Sequence, residues 1–223
     1  MDVSEAVARR SSVRAFLPDP VPLETVRALV EGARQAPSGG NLQPWRIHAL
    51  SGDRLAAFKG RVAERLAETP RGEPPEYAVY PDALVEPYRT RRFQVGEDLY
   101  RSLGVERENK LGRLVQFARN FDFFGAPVAL FVTTHRSMGP PQWSDLGMYL
   151  QTLMLLAVEA GLDTCAQEAW SVWPKTVGEF IGLDADHMLF CGVALGKRDP
   201  DHAINGWRAQ RDPLEAFATF EGF

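Results

Sequence analysis

The chain has 223 residues, 45% of them hydrophobic and 24% charged, with a formal net charge of -4. These are ordinary values for a globular chain with enough apolar residues to build a sizeable core. The acidic balance gives no reason to expect nucleic acid or an anionic membrane as a partner, and no run approaches the roughly 18 apolar residues that a membrane span needs.

The chain opens Asp2-Val3-Ser4-Glu5 with no apolar run behind Met1, so a cytoplasmic location is expected. Val3 to Arg9 is predicted as a short helix with Asp2 or Ser4 near its start. Arg10-Ser11-Ser12-Val13-Arg14 follows, with Arg9 just ahead of it. Guanidinium forks and hydroxyls together match phosphate oxygens, and the alternative is a solvated basic turn. Val26, Leu29, Val30 and Ala33 then fall at helical spacing, and Pro37 is expected to stop that helix. Beyond it lies the turn Pro37-Ser38-Gly39-Gly40-Asn41-Leu42-Gln43-Pro44-Trp45, which leads into a short strand over Arg46 to Leu50. Its glycines let main chain approach a ligand closely, and the amides of Asn41 and Gln43 suit a flat heterocycle with both donor and acceptor edges.

Asp53 to Glu68 is predicted as a helix, with Leu55, Phe58, Val62 and Leu66 on one side. Thr69 to Pro87 is rich in Pro, Gly and Glu and reads as a long irregular segment, either a binding loop or a surface excursion. Tyr77, Tyr80 and Tyr88 in or beside it are candidates to stack on a substrate. Arg89 to Phe117 is expected to form two charged helices broken around Gly104. Pro127 to Thr134 reads as a buried strand. Trp143 to Ala160 is apolar nearly all round, which predicts a helix buried on every side or shared across a subunit interface. Asp163 to Gln167 and His187 to Leu195 are further strands, separated by a helix over Trp173 to Ile181 with Pro174 near its start. The tail from Gly196 carries Arg208 and Arg211 and ends in an aromatic stretch through Phe217 and Phe220, apolar enough to be expected against another surface.

Several sites are excluded. No Gly-x-Gly-x-x-Gly follows a strand. Gly192 to Lys197 has the wrong spacing for a phosphate loop, and Arg198 stands where a Ser or Thr is needed. Pro37 to Gly40 follows a helix, whereas a nucleophile elbow follows a strand. His48, His135, His187 and His202 are scattered, without metal-ligand spacing. Cys165 and Cys191 lie in apolar settings and are expected to be buried and inert.

Four motifs in order resemble the nitroreductase family of FMN-dependent oxidoreductases: Arg10 to Arg14, Pro37 to Trp45, Gly161 to Glu168, and Gly192 to Gly196 followed by Arg208 and Arg211. The resemblance runs from about Glu5 to the C-terminus and is weakest from about 69 to 120. It implies a single α+β domain over 1–223, a three-layer fold with a mixed, mainly antiparallel sheet flanked by helices, in an intertwined homodimer. The excursion at about 69–120 would vary and shape substrate choice. FMN would be held at its phosphate by Arg10, Ser11, Ser12, Arg14 and Arg211, with Arg208 in support because Ala209 stands where some relatives carry lysine. Pro37, Ser38, Gly39 and Asn41 would reach the flavin from the second subunit, and Gln167, Glu168 and Ala169 would lie along its ring. No catalytic side chain and no metal is implied. The implied activity is ping-pong reduction of small aromatic acceptors, nitroaromatics or quinones, with NADH or NADPH passing hydride to flavin N5. Reductive dehalogenation, flavin degradation and flavin binding without turnover are the alternatives.

Overall fold

The computed structural model describes every residue from Met1 to Phe223. Four strands form one sheet in the order β1-β2-β4-β3: β1 is Arg46–Ser51, β2 Val128–His135, β3 Asp163–Gln167 and β4 His187–Gly196. All three pairings are antiparallel, and the parallel element is a single bridge from Ser12 to Thr164 on β3. The central strands β2 and β4 are buried along almost their whole length. That is why both read as continuous apolar runs in the sequence instead of alternating ones.

Side chains alternate across the sheet, and each face carries a core. Ala129 and Phe131 face one side, where α3 (Gly52–Glu68) contributes Leu55, Phe58 and Val62. Val128, Leu130 and Val132 face the other side, against α2 (Leu23–Ala33) and α6 (Pro140–Glu159). The register slips at Val132/Thr133: Val132 pairs with Cys191 and Thr133 with Leu189, so Phe190 is left over. This bulge inverts the alternation, putting Leu189 on the same face as Ala194. It also frees the Phe190 carbonyl, which accepts the Tyr77 hydroxyl.

The helices form nearly where the periodicity places them. α1 is Val3–Arg9, with the Asp2 side chain accepting the Glu5 N–H at 2.7 Å. α4 (Tyr88–Ser102) and α5 (Lys110–Ala118) make up the excursion, broken at Gly104 with φ +66°. No helix or strand lies between Glu68 and Tyr88. α7 is Pro174–Ile181, ended by Gly182 in the left-handed region.

Three expectations differ from what the single chain shows. The helix before Pro37 ends at Ala33; Arg34, Gln35 and Ala36 close it with tight turns onto Glu31, Gly32 and Ala33. Within one chain, α6 is not buried on every side: Leu146, Tyr149, Leu153 and Ala157 are buried, while Met148 stays 38% exposed on the opposite face. The aromatic tail is likewise open, with Phe217 at 71% and Phe220 at 63%. Both stretches are apolar beyond what their own chain covers.

Candidate active site

The segment after α1 runs beside the edge strand β3. Ser12 bridges Thr164, and the Val13 N–H donates to the Thr164 carbonyl at 3.0 Å. The chain leaving β4 lies on its other side: Leu17 N–H donates to Lys197, and Asp199 N–H to Ala15. Asn205 locks the pair, accepting from the Arg14 N–H at 3.0 Å and donating to the Ala15 and Asp199 carbonyls. Residues nearly 200 positions apart are thus brought side by side.

The result is a cavity of about 540 Å³ lined by Arg10, Ser11, Ser12, Arg14, Arg208, Ala209 and Arg211. Val7 and Ala8 of α1, Val95 of α4, Gln151 of α6 and Trp207 complete its wall. None of the four arginines has a carboxylate within ion-pair distance; the ion pairs nearby involve Arg9 with Glu5, Arg198 with Asp163 and Arg91 with Asp212. Arg208 is spent on main chain, donating to the Ala8 and Arg9 carbonyls, and Arg211 donates to those of Ala209 and Gln210. Partial burial, together with repulsion from Arg211 and Arg208, lowers the pKa of Arg10 below the usual arginine value. Like charges held together in a half-enclosed site repel, and a phosphate entering there would relieve that repulsion.

From Thr164 beside the clamp, β3 runs three residues to Gln167, about 10 Å at strand rise. Gln167 is buried and donates to the Asn120 carbonyl at 2.8 Å and to Asn120 Oδ1 at 3.2 Å. Its side chain is therefore a brace, and what the strand end offers outward is main chain. The tight turn Glu168–Val172 starts there, and the N–H groups of Glu168 and Ala169 have no partner inside it. Trp170 anchors the turn, fully buried and stacked on Phe123 at 4.6 Å. Gly192, opposite Gln167, makes room for that indole: a Cβ there would lie 2.3 Å from Trp170 Cδ1. Burial raises the pKa of the Glu168 carboxyl above the usual carboxylate range.

The Pro37–Asn41 turn sits elsewhere. Ser38 Oγ accepts the Gln43 N–H at 3.0 Å, and Gly39 N–H donates to Asp145 Oδ2 at 3.2 Å from the buried face of α6. Gly40 and Asn41 have φ of +60° and +56°. Gly39, Asn41 and Leu42 are exposed, and none of the turn lines the arginine cavity of its own chain. Gln43 is turned back, donating to the Asn41 carbonyl. So the structure joins the two arginine motifs, places Gln167 to Ala169 one short strand away, and leaves Pro37, Gly39 and Asn41 facing out with Ser38 half-buried between them.

This chain matches the family model described as the nitroreductase family over residues 7–197. The chain belongs to the nitroreductase family. A 4-nitrobenzoate reductase of Pseudomonas putida is 36% identical over 222 residues, covering 100% of this chain and 96% of that protein. The crystal structure of an FMN- and NADPH-dependent nitroreductase NfnB from Sphigopyxis sp. strain HMH superposes with a TM-score of 0.96 at 47% identity, covering 100% of both chains. NfnB from Mycobacterium smegmatis, solved in complex with NADPH, gives 0.91 at 30% identity, over 99% of this chain and 100% of that one.

Several site residues of this nitroreductase family member were not legible in the sequence. Gln151 and Asp145 are polar residues inside the apolar α6 run, and that interruption was the available signal. Asn120 and Asn205 carry no motif at all. Of the three tyrosines, Tyr77 is structural: it packs on Trp143 and Phe190, donates to the Phe190 carbonyl, and burial raises its phenol pKa strongly. Tyr80 and Tyr88 remain exposed, with Arg92 4.0 Å over the Tyr80 ring.

Proposed function

We propose that this chain is an FMN-dependent enzyme that uses NADPH or NADH to reduce nitroaromatics, quinones or related small aromatic acceptors, and that it works as a cytoplasmic homodimer. The observation that carries the reading is the cavity walled by Arg10, Arg14, Arg208 and Arg211 with no carboxylate to neutralise them. Arg10, Arg14 and Arg211, with Ser11 and Ser12, would hold the phosphate of FMN. Arg208, tied to main chain, would contribute charge without moving.

The Glu168 and Ala169 N–H groups would meet the polar edge of the ring, at a distance from the clamp that a phosphate-tailed flat ligand spans. Donors fixed by a buried indole do not reorganise when charge develops opposite them, which is how a site stabilises an anion at low cost. FMN, when bound, would supply the two-electron chemistry between nicotinamide and acceptor. The chain supplies placement, charge and exclusion of water, and no side chain is required as an obligatory acid or base.

The exposed turn Pro37, Ser38, Gly39 and Asn41 would close the site of a second copy. The open face of α6 and the uncovered Phe217 and Phe220 give that second copy apolar surface to bury. No helix is long and apolar enough to cross a membrane. Residues 1–223 would act as one domain, with the excursion near 69–120 setting acceptor choice: Val95 from its first helix already walls the cavity.

The test begins with the visible spectrum of the purified protein, which should be that of a bound flavin. Anaerobic mixing with NADPH or NADH should bleach it, and 4-nitrobenzoate should restore it. A flavin that neither nucleotide bleaches rules out the reductase. Arg14→Ala combined with Arg211→Ala should yield colourless protein, and full FMN retention would move the site elsewhere.

A further inference from the structure

The arginines that wall the cavity stay unpaired although carboxylates lie close to them in the chain and in space. Glu5, one turn ahead of Arg9, is held by Arg9 at 3.5 Å. Asp163, next to the Thr164 that bridges Ser12, is held by Arg198. Asp212, the residue after Arg211, is held by Arg91 of α4. In each case the cation that takes the carboxylate does not itself line the cavity.

The third pair is unlike the others, because it joins the tail to the excursion. Arg91 and Val95 are four residues apart on one face of α4, so the helix that walls the cavity with Val95 also reaches Asp212. The two side chains are 45% and 36% exposed, and an ion pair so open to water adds little to stability. Its consequence is electrostatic and local. Released, Asp212 would be the anion nearest to Arg211 along the chain and would compete with any phosphate for it.

We propose that Arg91 is a positioning residue for the cofactor site: by holding Asp212 it keeps that carboxylate from neutralising Arg211 and the arginines beside it. The proposal rests on the FMN reading above. It acts on the phosphate and not on the ring, so FMN and riboflavin, which differ by that phosphate, should respond differently.

The experiment is titration of apo-protein with FMN and with riboflavin, followed by flavin fluorescence, for the parent, Arg91→Ala, Asp212→Asn and the double variant. Arg91→Ala should weaken FMN about tenfold and leave riboflavin unchanged. Asp212→Asn in the Arg91→Ala background should return FMN affinity to within about twofold of the parent. Raising salt should shrink the difference between Arg91→Ala and parent. An Arg91→Ala protein with parental FMN affinity overturns the proposal. So does a double variant as weak as the single one, or equal losses for FMN and riboflavin, since each means that Arg91 acts by packing or by direct contact. A parent chain with no FMN affinity overturns the underlying reading as well, whereas parental binding with insensitive variants overturns this inference alone.

Discussion

Glu73 opens the excursion, yet its carboxylate is buried, with only 7% of the side chain exposed. It caps α7 from outside. Pro174 begins that helix and has no N–H; the next two N–H groups, Lys175 and Thr176, donate to Glu73 Oε2 at 2.9 and 3.0 Å. The Thr176 hydroxyl donates to Oε1 at 2.5 Å, and Arg65 lies 3.6 Å away. Glu73 N–H donates to the Val172 carbonyl at 2.7 Å, so the same residue clamps the end of the turn that starts at Glu168. Glu73→Ala would leave two helix N–H groups, that of Thr176 buried, and the Thr176 hydroxyl without their acceptor, while Arg65 keeps Glu68 at 2.7 Å. Losing a helix cap costs about 0.5–2 kcal/mol, and leaving the buried Thr176 hydroxyl without its acceptor adds about 1–3 kcal/mol, for a total of about 3 kcal/mol. Glu73→Gln keeps the shape and one acceptor, and should cost about half as much. With a urea m-value near 2–3 kcal/mol/M, Glu73→Ala should lower the unfolding midpoint by about 1 M. The comparison is made by urea titration at fixed protein and FMN concentration, because ligand and subunit association shift apparent stability. A Glu73→Ala midpoint equal to the parent's would refute the cap and the counting behind it.

Gly192→Ala should be destabilising by about 1–3 kcal/mol through overpacking, because its Cβ meets a fully buried Trp170 that cannot step aside; a lowered melting temperature with weakened flavin binding checks it. Phe58→Ala removes a fully buried ring that touches Phe131, Trp170 and Phe180 and should cost about 3–5 kcal/mol by denaturant unfolding. Asp184 accepts from His187 at 2.5 Å, and that hydrogen bond holds its pKa below the usual carboxylate value. A depressed folded pKa stabilises above the unfolded value near ~3.9 and is lost as pH falls through the folded one. The stability gap between parent and Asp184→Asn should therefore be full at neutral pH and close in acid, as read from unfolding midpoints across that range. Removing residues 214–223 should raise the monomer fraction in sedimentation, and an unchanged distribution would mean that the aromatic tail covers nothing.

Much of the fold was legible because each element carries its own local signal. The apolar run of β2 needs no partner to be recognised as a buried strand, and Leu55, Phe58 and Val62 mark the buried side of α3 by spacing alone. Helix ends were less legible: α2 stops at Ala33 and not at Pro37 because the last turn tightens before the proline is reached. The bulge at Phe190 left no trace in the sequence, since a bulge is defined by what lies across the ladder.

The arginine motifs pointed to an anion, with a solvated basic turn as the alternative, because guanidinium forks and hydroxyls match phosphate oxygens. The sequence could therefore fix which residues are able to bind an anion. It could not fix which would be free to do so. That depends on where each carboxylate is spent, on Asn205 pinning two distant segments together, and on an indole fitting over a glycine. These are long-range contacts, set by the packing of β3, β4 and the tail against one another and absent from any local stretch of residues. Composition and periodicity decided the elements; only the assembled sheet decided which charges were left unpaired.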